Sequence, residues 1–149
     1  MDRLVFNNVE NGEAIAKLAG TDYNPKACSN ICRVRDGERL GGVVYSNYTG
    51  ESIAMHSAAW ARRWVNRDML FATFDYPFNQ LGVKRIFGQV PEDNLHAQEF
   101  NLNVGFKTVC RVEGVFRGGI ACLVMCMERD DCRFLGVKPR NLKSNKTLN

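Results

Sequence analysis

Runs rich in Val, Ile and Tyr fill the stretch from Ile31 to Trp60 and are broken at Asp36-Gly37 and Thr49-Gly50. Dipeptides of that kind close hairpins, so the pattern predicts three antiparallel strands near 31–35, 40–47 and 51–59. After Trp60 the period changes. Met69, Leu70, Phe74 and Phe78 recur at helical spacing, with Asn66 or Asp68 available to cap the start. Pro77 inside that run predicts a kink or an early end, because proline lacks the N–H that the helix ladder needs.

The flanking segments read in the same way. "RLVFNN" (3–8) predicts an edge strand, and "NGEAIAKLAG" (11–20) a short helix with Asn11 as its cap and Gly20 as its stop. "VKRIFGQV" (83–90) is a short strand. In the segment that follows, Pro91 needs no ladder donor, while Glu92, Asp93 and Asn94 set carboxylates and a capping side chain at a helix start. Ala97, Phe100 and Val104 form its inward stripe and Gly105 its left-handed stop. Further strands follow at 106–114 and 120–127, the second apolar on both faces and so covered on both sides. The order β, α, β, β, β, α, β, α, β, β predicts an α/β (α+β) domain. Its mixed, mostly antiparallel sheet carries helices on it.

Length adds that a chain of 149 residues makes one domain, taken as 1–136 with a basic tail at 137–149. The net charge of +4 resides in that tail, through Lys138, Arg140, Lys143 and Lys146. Such a tail reads as a solvated end; contact with nucleic acid or an acidic protein is the lesser reading. No window approaches the ~20 apolar residues of a membrane span, and the start lacks the pattern of a secretory signal, which together predict a cytosolic protein.

Six cysteines raise the question of metal. Cys28/Cys32 and Cys122/Cys126 are both C-x3-C, and only His56 and His96 are available beside them, so no metal is expected. Cys122 and Cys126 would lie about 13 Å apart along one strand face, too far for a disulfide. The thiols read as small, buried, reduced hydrophobes.

The segment "VPEDNLHAQEFNLNVGF" then has a further reading. Its N-x2-A-x2-F-x4-G-F pattern, at Asn94, Ala97, Phe100, Gly105 and Phe106, resembles the cofactor-side helix of the GNAT superfamily of acetyl-CoA-dependent N-acyltransferases. The likeness runs through "GGVVY", "DYPFNQLGVKRIFGQV" and "EGVFRGG" and covers about residues 31–128. It is greatest to small members encoded by bacteriophages, akin to ribosomal-protein and N-terminal amine acetyltransferases. The resemblance implies a splayed pair of parallel strands with the pantetheine arm of acetyl-CoA between them. By position, the backbone around His56, Ser57, Ala58 and Ala59 would meet the acetyl carbonyl and the pantetheine amides, with Asn94 and Ala97 as further cofactor contacts.

Two departures from the family pattern stand out. The usual pyrophosphate loop is glycine-rich, whereas "ARRWVNRDM" has no glycine and offers Arg62, Arg63 and Arg67 as side-chain contacts to phosphate. A solvated helix start is the competing reading of those arginines. Many members carry a tyrosine seven residues after the Asn as acid for the departing thiolate. Here Asn101 stands in that place, leaving Ser57 or water to protonate the sulfur. His56, Glu92 and Asp93 are the candidate bases. Glu92 and Asp93 equally read as partners of the helix dipole, and Asn94 as a cap.

The implied activity is acetyl transfer to a primary amine by direct attack in a ternary complex. The acceptor would be a protein lysine, an N-terminus or a small amine, with a host protein in a phage setting, and a homodimer is compatible with the pattern. The competing reading is a GNAT-like module without turnover that binds a host protein. Nucleic-acid binding through the tail ranks last.

Overall fold

A computed structural model describes residues 1–142 of the chain. It contains β1 (Asp2–Phe6), α1 (Val9–Ala19), β2 (Ser29–Arg35), β3 (Glu38–Ser46), β4 (Ser52–Ala59) and α2 (Arg67–Asp75). After these come β5 (Arg85–Pro91), α3 (Leu95–Val104), β6 (Lys107–Phe116) and β7 (Ile120–Glu128). The strands form one seven-stranded sheet in the order β1-β2-β3-β4-β5-β7-β6. Every neighbouring pair is antiparallel except β4 with β5. The predicted element order and the mixed α/β sheet are therefore what the chain adopts.

Side-chain alternation splits the core between the two faces of the sheet. Ile31, Val43 and Tyr45 face one way and pack with Met69, Phe74 and Phe78 from α2 and the segment after it. Cys32, Val34 and Val44 face the other way, onto Ile15 and Ala16 of α1. Ala97, Phe100 and Val104 do form the inward stripe of α3, and they join the α2 side.

Helix ends follow side-chain geometry more than composition. Asn8, not Asn11, caps α1, accepting from the Asn11 N–H at 2.9 Å. Asn11 lies inside the helix, where its Oδ1 accepts from Arg39 Nε at 2.7 Å. Asn66 caps α2 through Met69 N, and Gly20 and Gly105 close α1 and α3 at φ of 81° and 115°, a region open to glycine. At Pro77 the chain neither stops nor simply bends. It widens into one π-helical turn, Tyr76–Gln80. The ring displaces the carbonyl four residues earlier, and that Thr73 oxygen accepts from the buried Tyr45 hydroxyl at 2.5 Å.

Three expectations need correction. Pro91 is the last residue of β5, paired with Cys122, rather than lying beyond the strand. All six cysteines are free, but only Cys32 and Cys122 are buried. Cys110 is exposed because β6 is an edge strand open to solvent along almost its whole length. The segment from residue 137 onward is also not free at its start. Val137 and Leu142 pack on the core, and the Arg140 and Asn141 N–H groups donate to the Asp68 carboxylate at 2.6 and 3.1 Å. Lys143 and Lys146 lie outside the described residues.

At the first edge of the sheet Arg33 is almost buried, at 5% exposure, and its guanidinium is satisfied by Asp2 at 3.0 and 2.6 Å. The Arg33 hydrogen bond lowers the Asp2 carboxyl from an ordinary 3.8 to about 2, with Arg35 assisting. A group whose folded pKa is depressed stabilises the fold above its unfolded value and loses that contribution as pH falls through the folded one. Asp2→Asn is therefore expected to lower the urea midpoint at neutral pH, with the deficit shrinking as pH drops from about 4 through about 2. A deficit of equal size at pH 7 and at the acid limit would show that the ion pair is not its source.

Candidate functional site: a cleft between diverging strands

β4 and β5 are hydrogen-bonded neighbours at only three registers, Ser52/Arg85, Ile53/Ile86 and Ala54/Phe87. Beyond Ala54 the strands separate. β4 continues as the partner of β3 to Ala59, and β5 as the partner of β7 to Pro91. The sides that these strands turn toward each other leave ladder positions unused. The gap is a cavity of about 580 Å³, walled by Met55–Arg62 on one side and by Gln89–Pro91 and the first two turns of α3 on the other.

His56, Ser57, Ala58, Ala59, Arg62, Asn94 and Ala97 all line this cavity, although they come from two distant stretches of chain. Alternation along β4 divides their roles. Ile53 and Met55 pack on the α2 side and Ala58 on the α1 side, so Ser57 shares the α2 face and His56 the α1 face. Leu18 and Ala19, at the end of α1, close that side. Burial pushes the His56 imidazole below its ordinary 6.5, which leaves it neutral and able to accept a proton in neutral solution.

Other expected site residues stand apart. Glu92 is held by Arg111 from across the sheet edge, at 2.9 Å to Nη2 and by a second contact to Nε. That hydrogen bond keeps its carboxyl below the usual range. It lies with Asp93 and Glu113 in a separate shallow depression of about 280 Å³. Its carboxylate is therefore committed to a guanidinium outside the cavity. Arg63 and Arg67 are exposed and do not line the cavity. Asn94 does, with its side-chain oxygen accepting from Ala97 N at 3.1 Å as the cap of α3.

The glycine-free loop after β4 is held by other means. The N–H groups of Trp60 and Ala61 both donate to Leu40 O at 2.9 Å, facing β3. Arg33 reaches across to the Arg63 carbonyl at 2.9 Å. Trp64, only 7% exposed, sits on Phe100 with ring centroids 5.3 Å apart and fills the space over Gly41, where a Cβ would come within 2.7 Å of it. Sequence reading missed Trp64. Its signal was the Gly41-Gly42 pair inside a strand, which marks a close approach by another part of the chain. Asn101 lines the cavity at 7% exposure, with Nδ2 3.7 Å from Met125 Sδ and close beneath Gly88. Among the described residues no helix is long and apolar enough to cross a membrane, and no group of three or more His, Cys, Asp or Glu is placed to hold a metal ion.

No protein-family model and no curated protein matches the chain by sequence. Solved structures do match its fold. The ribosomal-protein-S18-alanine N-acetyltransferase of Escherichia coli superposes with a TM-score of 0.66 at 14% identity, covering 96% of this chain and 99% of that one. Ard1 of Thermoplasma volcanium gives 0.68 at 14% identity, over 85% and 97%. A chimera of the Vibrio cholerae spermidine N-acetyltransferase SpeG with hSSAT gives 0.65 at 15%, over 87% and 96%. The fold is GNAT-like.

Proposed function

We propose that this protein is an acetyl-CoA-dependent N-acetyltransferase acting on a primary amine in a ternary complex. The observation that carries the reading is the divergence of β4 from β5. It leaves main-chain polar groups of two strands facing a narrow cavity, a fit for an extended pantetheine arm whose amides need such partners. Acetyl-CoA would supply the thioester, whose C–S bond breaks as the amine nitrogen forms its bond to the acetyl carbon.

The residues divide the remaining work. The β4 backbone from His56 to Ala59 would hold the acyl end, with a main-chain N–H polarising its carbonyl. Ala58 and Ala59 keep that wall low, and Ala97 does so opposite. Arg62 would meet the phosphates at the mouth, with Arg63 and Arg67 contributing longer-range charge. His56, on the α1 face, would take the proton lost by the amine, and the Ser57 hydroxyl or a water would return one to the thiolate. Glu92 has no part in this scheme. The resemblance to phage-encoded proteins makes a host protein amine in the cytoplasm the favoured acceptor, and a homodimer fits the reading equally.

Isothermal titration with acetyl-CoA, followed by thioester loss across a panel of protein and small amines, tests the proposal. Absence of binding at sub-millimolar acetyl-CoA would remove it. Binding without thioester loss would favour the second reading, a GNAT-like module that docks a host protein. The buried Asn101 amide, standing where a proton-donating hydroxyl is expected, speaks for that one. For the enzyme, the acidic limb of kcat/KM is expected below pH 6.5, the direction in which burial shifts His56, and His56→Ala is expected to abolish that limb. A limb that survives the substitution assigns the base elsewhere.

A further inference from the structure

After β7 the chain leaves the sheet at the end opposite the cleft, since Glu128 pairs with Arg85 at the start of β5. It then returns along α2. Phe134 stacks on Phe74 in the last turn of that helix, with ring centroids 5.3 Å apart. The N–H groups of Arg140 and Asn141 take both oxygens of Asp68 in its first turn. Phe74 and Asp68 are six residues apart, about 9 Å of helix, so the segment runs the length of α2 toward its start. α2 follows directly from the loop after β4, which places its first turn at the end of the sheet where the cleft opens.

The segment arrives in a defined orientation. Val137 and Pro139 are partly buried, whereas Lys138 and Arg140 are exposed. This alternation turns the apolar side inward and both cations outward. They join Arg62, Arg63 and Arg67 at the same end, and none of these cations has an ion pair among the described residues. The local acid that would offset them, Asp68, is 7% exposed, with its oxygens occupied by the docked backbone. Meanwhile the loop that would cradle a phosphate has no glycine and has turned two of its N–H groups toward Leu40 O.

We infer that residues 137–142 are a docked strap that completes the nucleotide-phosphate end of the acetyl-CoA site, with Lys138 and Arg140 as its cationic contacts. The inference rests on the acetyl-CoA reading and replaces a backbone cradle by side chains carried on a strap. Charge assistance from lysine and arginine suits the pyrophosphate and 3′-phosphate of the nucleotide, and no such contact is available to the pantetheine end.

The test is titration calorimetry on the full chain with three probes: acetyl-CoA, 3′-dephospho-acetyl-CoA and S-acetyl-pantetheine. For the Lys138→Glu/Arg140→Glu double variant, the acetyl-CoA Kd at low salt is expected to rise about tenfold or more and to lose much of its salt dependence. S-acetyl-pantetheine should bind as it does to the parent. Equal weakening of acetyl-CoA and its dephospho form would assign the contact to the pyrophosphate; weakening of acetyl-CoA alone would assign it to the 3′-phosphate. The charge reversals leave the backbone N–H groups that dock on Asp68, and an unchanged Tm confirms that the strap is still seated. A double variant whose acetyl-CoA Kd stays within twofold of the parent overturns the strap alone. A parent protein that binds none of the three overturns the acetyl-CoA reading and the strap with it.

Discussion

Trp64→Ala is expected to destabilise the fold by about 3–5 kcal/mol, the usual cost of removing a buried aromatic from a packed core. That is a large part of the roughly 5–15 kcal/mol that holds a domain of this kind together. The indole is packed between Phe100 and the bare backbone of Gly41, and a Cβ at position 41 would meet it within 2.7 Å, so neither neighbour can move in to fill the void. Because Trp64 also walls the cleft and anchors the glycine-free loop, whatever fraction stays folded should bind acetyl-CoA weakly. Urea denaturation gives the first quantity and calorimetry the second. A loss below about 1 kcal/mol would mean that the site collapses freely, contrary to this packing.

Ala97→Trp is expected to raise the acetyl-CoA Kd at least ~100-fold, or about 2.7 kcal/mol, with a smaller loss of stability than Trp64→Ala, because Ala97 packs on the core but is only partly buried. Ala97 lines the cleft from the first turn of α3, and its backbone N–H, not its side chain, makes the cap contact with Asn94. An indole there would fill part of the gap while leaving the backbone N–H that makes the cap bond in place. A modestly lowered Tm with a lost calorimetric signal is the expected pair of results. A Kd unchanged by the added ring would place the ligand somewhere other than between β4 and β5.

Much of this architecture is legible along the chain because its punctuation is local. Asp36-Gly37 needs only its own backbone to make a turn, and Gly105 only its missing Cβ to end a helix. Asn94 and Ala97 could be placed by offset for the same reason, since a cap and the N–H that donates to it sit within one helical turn. What escaped depends on partners far away in sequence. Nothing near Asp68 announces that residues 140 and 141 will bind it, and nothing near Glu92 announces Arg111. The reading of Asn11 as the cap of α1 failed for a subtler reason. Asn8 is an equally good capping residue, and the position of the cap rests on which one adopts an extended backbone, with ψ of 122° at Asn8.

The cleft itself has a consequence for how such a protein changes over evolutionary time. It is opened by a mismatch in where two strands stop being neighbours, with only three rungs joining them before they part. Many of the polar groups it offers belong to the main chain, which every substitution but proline leaves in place. Selection on the gap therefore bears on strand paths and on a few small residues that keep it open, such as Ala58 and Ala97. Side chains that are not locked in place as Trp64 is can be exchanged around it, so a lineage can rewrite many of its letters while passing on the same opening.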